Sequence, residues 1–557
     1  MASQKLNTST NKDENMYLNN KSYENFYLTI ILLASVTFYI YFSSLVIINS
    51  NTWVDEVIYL IKSWKYVSGE AVPYTSNDPT WYMPFYFFQL GAWQHLFGQD
   101  ITNSRLLSSI IGLMNGLLIF RIIFLVTGNK ISSAYGVLFF FTVPSVIFYF
   151  NTAIPNSSVS LILLISIVTI IENMGVINKY KPFLLGILFS IILLYRQNMI
   201  LAIVCLIPIY LLTIDNKIKH FSIILLAMLF SFLIAIYLLP ERFIFSLLRL
   251  PIISPYLSQL GVFPDSQRII DSLTFNNNNL SFDRNKLSIK DLIDGFFLPY
   301  LGIVICCLTV IALSRKKRLV ILILTPLLFF FLSITHYVGS FSYCGTCILP
   351  YTTYFVSIGA ICGGFSISLI SLKLKSNNSL YYLFKPLFIL LILITNIFST
   401  TFALREEYKF YPTSMMTNTR KTEWQKDTVK LAQFIKNNTK DELTVLPIHN
   451  LSMVPYSIFL ANKDFPQQMI NINHTYRKIK NIPHNKAILL QAIEKEGLWS
   501  DSLLDEWIEK KYNIIIYQAD PRRQDKALIK KIEKNFSIKA SSSFRGWNIY
   551  IYKRNKT

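Results

Sequence analysis

Charge is scarce in this chain: only 15% of its 557 residues are Asp, Glu, Lys or Arg, 52% are hydrophobic, and the mean hydropathy is +0.40. Such a composition argues against a soluble globular enzyme and for a polytopic membrane protein. Cysteine is sparse as well, and four of the six (Cys205, Cys306, Cys307, Cys362) fall in apolar runs as small core residues. The other two form a single Cys344-Gly-Thr-Cys347. One such pair lacks the four ligands of a structural zinc site, and no thioredoxin-like βαβ pattern surrounds it. A local disulfide and two free thiols both remain open for it. No cleavable signal peptide is evident, because residues 1–25 are polar and the first apolar run is long enough to stay in a membrane. No internal repeat is visible, which disfavours an inverted-repeat transporter.

What is present is a series of eleven runs able to span, near 26–48, 105–126, 132–152, 156–175, 182–195, 198–214, 220–239, 293–314, 319–337, 348–371 and 383–403. Basic residues orient them. With the N-terminus inside, the inner loops carry Lys130, Lys179, Lys181, Lys217, Lys219, Arg315–Arg318, Lys373 and Lys375. The short outer loops near 153–155 and 338–347 carry no Lys or Arg, and Arg196 alone breaks the pattern. The expected organisation is a disordered cytoplasmic tail over 1–25 and a transmembrane region over 26–403, with long outer loops at 49–104 and 240–292. An extracytoplasmic α/β domain is expected over 404–557, where helical and strand-like patterns alternate. The net charge of +21 is then no nucleic-acid signal. Residues 403–557 hold 27 Lys+Arg against 16 Asp+Glu, which fits contact with an anionic membrane or a phosphorylated lipid and equally fits plain solvation.

The outer loop 49–104 contains two helical patterns, Asp55–Val67 and Trp81–Phe97, both expected to lie in the interface, where Trp and Tyr are favoured. The first opens with Asp55-Glu56. Carboxylates at that position either cap a helix N-terminus and complement its dipole, or accept a proton from a hydroxyl nucleophile. With cations to meet a phosphate leaving group, the second reading describes group transfer from a lipid phosphate at the membrane surface. Asp55, Glu56 and Asp78 are also compatible with a divalent cation, though no ligand spacing demands one. His336-Tyr337 and His95 read as interfacial packing.

Taken in order, these motifs resemble those of the GT-C glycosyltransferase superfamily, in the branch of the protein O-mannosyltransferases and lipid A aminoarabinose transferases. The likeness rests on one apolar span followed by Trp53-Val-Asp55-Glu56-Val-Ile-Tyr59, then Met83-Pro84-Phe85-Tyr86 in place of Pro-Pro-Leu-Tyr, then Leu96-Phe97-Gly98. Asn103-Ser-Arg105-Leu-Leu and Tyr195-Arg196-Gln197-Asn198 complete it; beyond residue 200 it is only hydropathic. The resemblance implies an inverting transferase that takes a sugar from a polyprenyl-phosphate carrier to a hydroxyl of a lipid, glycan or protein on the non-cytoplasmic face. It implies Asp55 as general base or acceptor-orienting residue, Glu56 as its positioning neighbour, and Arg105 and Pro84 as anchors of the loop. Tyr82 stands where the family has a lysine that meets the donor phosphate. Arg242 is therefore the leading candidate for that contact, with Arg196 as the reserve. The competing functions are a transporter or flippase for a lipid-linked glycan, which would set charges inside the spans, and a glycan polymerase or ligase.

Overall fold

The computed structural model describes residues 6–50, 54–75, 83–172, 180–212, 214–240, 243–248, 298–313, 348–374, 379–403, 423–448, 453–466, 501–519, 526–544 and 546–555. The expected spans near 26–48 and 105–126 form inside α1 (Leu6–Asn49) and α4 (Ile101–Thr127). The two loop helices are α2 (Val54–Val67) and α3 (Pro84–Phe97). Among the described residues, three helical stretches are long and apolar enough to cross a membrane: Tyr23–Ile48, Ile101–Thr127 and Lys217–Leu238. Helix α1 starts at Leu6, so helical backbone runs through most of the stretch that composition reads as an unfolded tail.

Local chemistry sets the boundaries. Asp100 caps α4, its carboxylate accepting the Thr102 amide at 3.2 Å, and Gly128 ends the helix in the left-handed region at φ 67°. Asn129 caps α5 (Lys130–Thr142) in the same way through Ser132. The run over 132–152 does not make one helix. Pro144 stops α5 and opens the short α6 (Pro144–Tyr149), because a prolyl ring inside a helix clashes with the preceding turn but suits a first position.

There follow α7 (Asn156–Ile171), α8 (Lys181–Tyr195), α9 (Ile200–Leu211), α10 (Lys217–Leu238) and a single short turn, α11 (Phe243–Leu248). Then come α12 (Leu298–Leu313), α13 (Ile348–Leu374) and α14 (Ser379–Ala403). The expected span at 319–337 lies outside the described residues. Helix α5 sits centrally, packing on α1, α4 and α13.

The C-terminal part carries a four-stranded sheet in the order β1 (Leu446–Ile448), β2 (Ile514–Ala519), β4 (Trp547–Arg554), β3 (Phe536–Phe544). Only the β1–β2 pair is parallel. Every residue of β2 is buried, so both its faces are covered. Strand β3, which the alternation of the sequence does not reveal, is an edge strand with half its residues wet and a register shift between Ile538 and Ala540. Helices α15 (Glu423–Asn438), α16 (Met453–Leu460), α17 (Asp501–Glu506) and α18 (Lys526–Asn535) accompany the sheet.

This C-terminal part changes the environment of α2. Amphipathic spacing predicts a helix with one wet face, yet Glu56 to Ser63 are all buried, as are Lys65 and Tyr66. One side is taken by α3, where Tyr59 meets Tyr86 and Phe87 at ring separations of 5.0 Å. The backbones come so close that a Cβ on Gly91 would lie 2.2 Å from the Ser63 carbonyl oxygen. The other side meets the C-terminal part: Lys65 pairs with Asp464 and lies 5.3 Å from the Phe465 ring centre, and Trp64 meets Phe459 edge-on.

Candidate functional site

Two polar groupings stand out in the interior, and the first is built on Glu56. Helix α2 starts at Val54, so Asp55 and Glu56 occupy its first turn, where acids complement the helix dipole. The Asp55 side chain is outside the described residues. The Glu56 carboxylate is fully buried against Arg105 of α4, itself fully buried. Arg105 donates from Nε to Oε1 and from Nη2 to Oε2, both at 2.8 Å, a two-armed pairing of fork and carboxylate. The Ala153 amide donates to Oε1 at 2.8 Å. Arg105 Nη1 reaches the carbonyls of Ile47 and Ser50 at 3.1 and 3.0 Å, which belong to the last turn of α1 and the residue after it. One ion pair thus ties the end of α1, the start of α2, the second turn of α4 and the turn before α7.

Burying two charges costs several kcal/mol per ion unless the geometry and the remaining hydrogen bonds are nearly complete. Here both carboxylate oxygens and both arms of the guanidinium are occupied. The arrangement holds the N-terminus of α2 in place, and the residue it holds there is the neighbour of Asp55.

The second grouping gathers where the ends of α7, α8 and α13 meet α3. Arg196, the residue after α8, donates from Nη1 to the Asn156 side-chain oxygen at 2.8 Å and to the Tyr354 hydroxyl at 2.9 Å. Tyr354 in turn donates to Asn156 at 3.1 Å, and Asn156 Nδ2 approaches Thr353 Oγ1 at 3.4 Å. Beside them the Gln89 amide oxygen of α3 accepts from Ser158 at 2.8 Å and from Tyr195 at 3.1 Å, while Phe85 packs edge-on against Tyr195. Arg196 is half-buried. A guanidinium among hydroxyl and amide groups at a helix boundary can meet a phosphate, since such donors and the fork geometry suit anionic oxygens.

Of the residues the sequence nominates, Glu56 and Arg105 come together, and Pro84 opens α3 as a buried first residue. Arg196 lies in the separate cluster. Tyr82, Arg242, Asp78, His336, Tyr337, Cys344 and Cys347 lie outside the described residues. His95 stacks on Trp64 at 4.1 Å between ring centres. Among the described residues no three His, Cys, Asp or Glu side chains gather as a metal site.

Sequence reasoning passes over Asn156, Tyr354, Gln89 and Lys62. Asn156 opens α7, Tyr354 lies in the second turn of α13 and Gln89 sits in the middle of α3, and polar residues within apolar helices were the available signal. Lys62 counts as wet on an interfacial helix, but it is fully buried, 6.0 Å from the centre of the Tyr66 ring.

These features define a largely helical architecture of apolar helices, three of which, among the described residues, are long and apolar enough to cross a membrane. No protein-family model matches the chain, and no curated protein does. The fold itself is similar to that of ArnT from Cupriavidus metallidurans. The ArnT structure bound to undecaprenyl phosphate matches with a TM-score of 0.57 at 10% identity, over 94% of this chain and 97% of that one. The apo ArnT structure gives 0.55 at 11% identity, over the same shares. An oligosaccharyltransferase from Archaeoglobus fulgidus gives 0.48 at 13% identity over 96% of this chain and 74% of that one, too low a score to argue from.

Proposed function

We propose that this protein is a membrane glycosyltransferase that moves a sugar from a polyprenyl-phosphate carrier to a hydroxyl acceptor on the non-cytoplasmic face. The observation that carries the reading is the buried Glu56–Arg105 pair, which pins the acid-bearing first turn of α2 to the ends of three other segments. Such a brace is unnecessary for a helix that only needs a cap. It is what a base requires, because proton transfer depends on holding the group within hydrogen-bond reach of a bound hydroxyl. The fold shared with ArnT, whose structure holds undecaprenyl phosphate, supports the same class of donor.

In this reading the acceptor hydroxyl attacks the anomeric carbon as the bond from that carbon to the carrier phosphate breaks. The configuration inverts, the hydroxyl proton passes to Asp55, and polyprenyl phosphate leaves with the bonding electron pair. Glu56 and Arg105 hold α2. Arg196, set among Asn156 and Tyr354, meets the leaving phosphate, with Arg242 and Tyr82 contributing from the adjoining loops. Eleven crossings with the N-terminus inside and the sheet outside would place Asp55 and Arg196 on one side of the membrane.

The test is transfer by the purified chain in nanodiscs, supplied with polyprenyl-phosphate sugars of several kinds and with lipid, glycan and peptide acceptors. Release of polyprenyl phosphate together with a glycosylated acceptor supports the reading. Intact donor moved between leaflets without loss of its sugar would make the protein a flippase.

A further inference from the structure

A cleft of about 420 Å³ opens between the start of α4 and the helices α15 and α16. Its floor is apolar, formed by Ile101, Leu460 and the ring of Tyr456, and its rim carries the exposed Val429 with Lys426, Lys430 and Asp100. The volume falls in the roughly 300–1,000 Å³ range of pockets that hold small ligands. Lys426 and Lys430 stand one turn apart on α15, on the same face, and both are exposed. The opposing Asp100 carboxylate is already engaged in capping α4 through Thr102. Tyr456 is 1% exposed, and its buried hydroxyl lies beside the Ile101 backbone without completing a hydrogen bond.

The surroundings of this cleft say what kind of molecule reaches it. On one side α3 ends in exposed Leu96 and Phe97, at 76% and 54%. On the other, α4 presents exposed Leu106, Ile110, Met114 and Leu117 along one flank. Exposed apolar side chains on a spanning helix face lipid tails, so the cleft sits at the level where those tails give way to headgroups. An apolar floor, a pair of ammonium groups at the rim and flanking lipid-facing surface match one chemistry, a phosphate-bearing headgroup on an acyl chain.

We propose that this cleft binds the headgroup of an anionic phospholipid, with Lys426 and Lys430 meeting its phosphate and the upper part of its acyl chain lying against Ile101 and Val429. The site belongs to the C-terminal part as much as to the helical part, so an occupied cleft fastens the one to the membrane beside the other. It stands independently of the transfer reaction.

The experiment uses the full chain in detergent, titrated with dioleoylphosphatidylglycerol or dioleoylphosphatidylcholine, with bound lipid counted by native mass spectrometry. A Val429→Cys variant reports the site through its rate of maleimide labelling. Phosphatidylglycerol should slow that labelling severalfold where phosphatidylcholine does not. Lys426→Gln/Lys430→Gln should weaken phosphatidylglycerol binding at this site at least fivefold, and because both lysines are exposed the thermal midpoint should stay unchanged. Unchanged binding by the double variant overturns the proposal. So does equal protection by phosphatidylcholine, which would make the cleft an apolar crevice. Protection by inorganic phosphate alone at the same concentration would make it an anion site and not a lipid site.

Discussion

Arg105 and Arg196 are the same residue put to different use. Arg105 is fully buried, faces a carboxylate with both arms and reaches the carbonyls at the end of α1 as well. Arg196 is half-buried, and its Nη1 meets an amide oxygen and a phenol. The first arrangement is closed: charge is matched by charge, and a ligand would have to break the pair to enter. In the second, an amide oxygen and a phenol orient the guanidinium, which keeps a partly exposed position. Under the proposed function, rigidity would be concentrated in one cluster and donor binding in the other.

Breaking this division should have graded consequences. The largest concerns Asp55, which the closed cluster holds in place. Asp55→Asn keeps size and hydrogen bonding but removes basicity, so turnover should fall by about 10²–10⁴ while the thermal midpoint holds. Near-normal turnover would reduce Asp55 to a helix cap. Next comes the brace. Arg105→Leu leaves a buried carboxylate without its partner and should cost about 3–5 kcal/mol of stability, seen as a lower midpoint in detergent. Removing both partners in Glu56→Leu/Arg105→Leu should cost less than the sum of the single changes, because the orphaned charge disappears. Additive costs would mean that the two residues act separately.

Effects at the open cluster should be smaller and confined to binding. Arg196→Ala removes a charged hydrogen-bond donor worth about 1.5–3 kcal/mol, so donor KM should rise about tenfold or more with the fold intact. If donor KM stays put, the phosphate contact belongs to Arg242. Smallest of all is Asp464→Asn, which ends the pairing with Lys65. Asp464 is 62% exposed, but Lys65 is only 5% exposed and keeps just the asparagine oxygen as an acceptor there, so the loss should be about 1 kcal/mol.

Much of the helical architecture was legible because membrane spans announce themselves by apolar length. The same is true of α2 and α3, whose spacing and stop signals at Gly69 and Gly98 are local. Glu56 and Arg105 were legible as separate motif residues. Their pairing was not, since they lie 49 positions apart and meet only when α1, α2 and α4 converge. The burial of Lys62 was hidden for a related reason: periodicity tells which face of α2 is apolar but not that the C-terminal part covers its remaining surface. Strand β3 escaped because Ser541, Ser542 and Ser543 break the apolar alternation on an edge that only β4 completes.

The most direct test makes one substitution at both arginines. Arg105→Lys and Arg196→Lys each keep a positive charge and lose the two-armed fork. With midpoint and donor KM measured side by side, Arg105→Lys should lower the midpoint by several degrees and leave donor KM within about twofold of wild type. Arg196→Lys should leave the midpoint alone and raise donor KM, though less than Arg196→Ala does. If Arg105→Lys shifts donor KM while Arg196→Lys shifts only stability, the division between a closed brace and an open phosphate site is wrong.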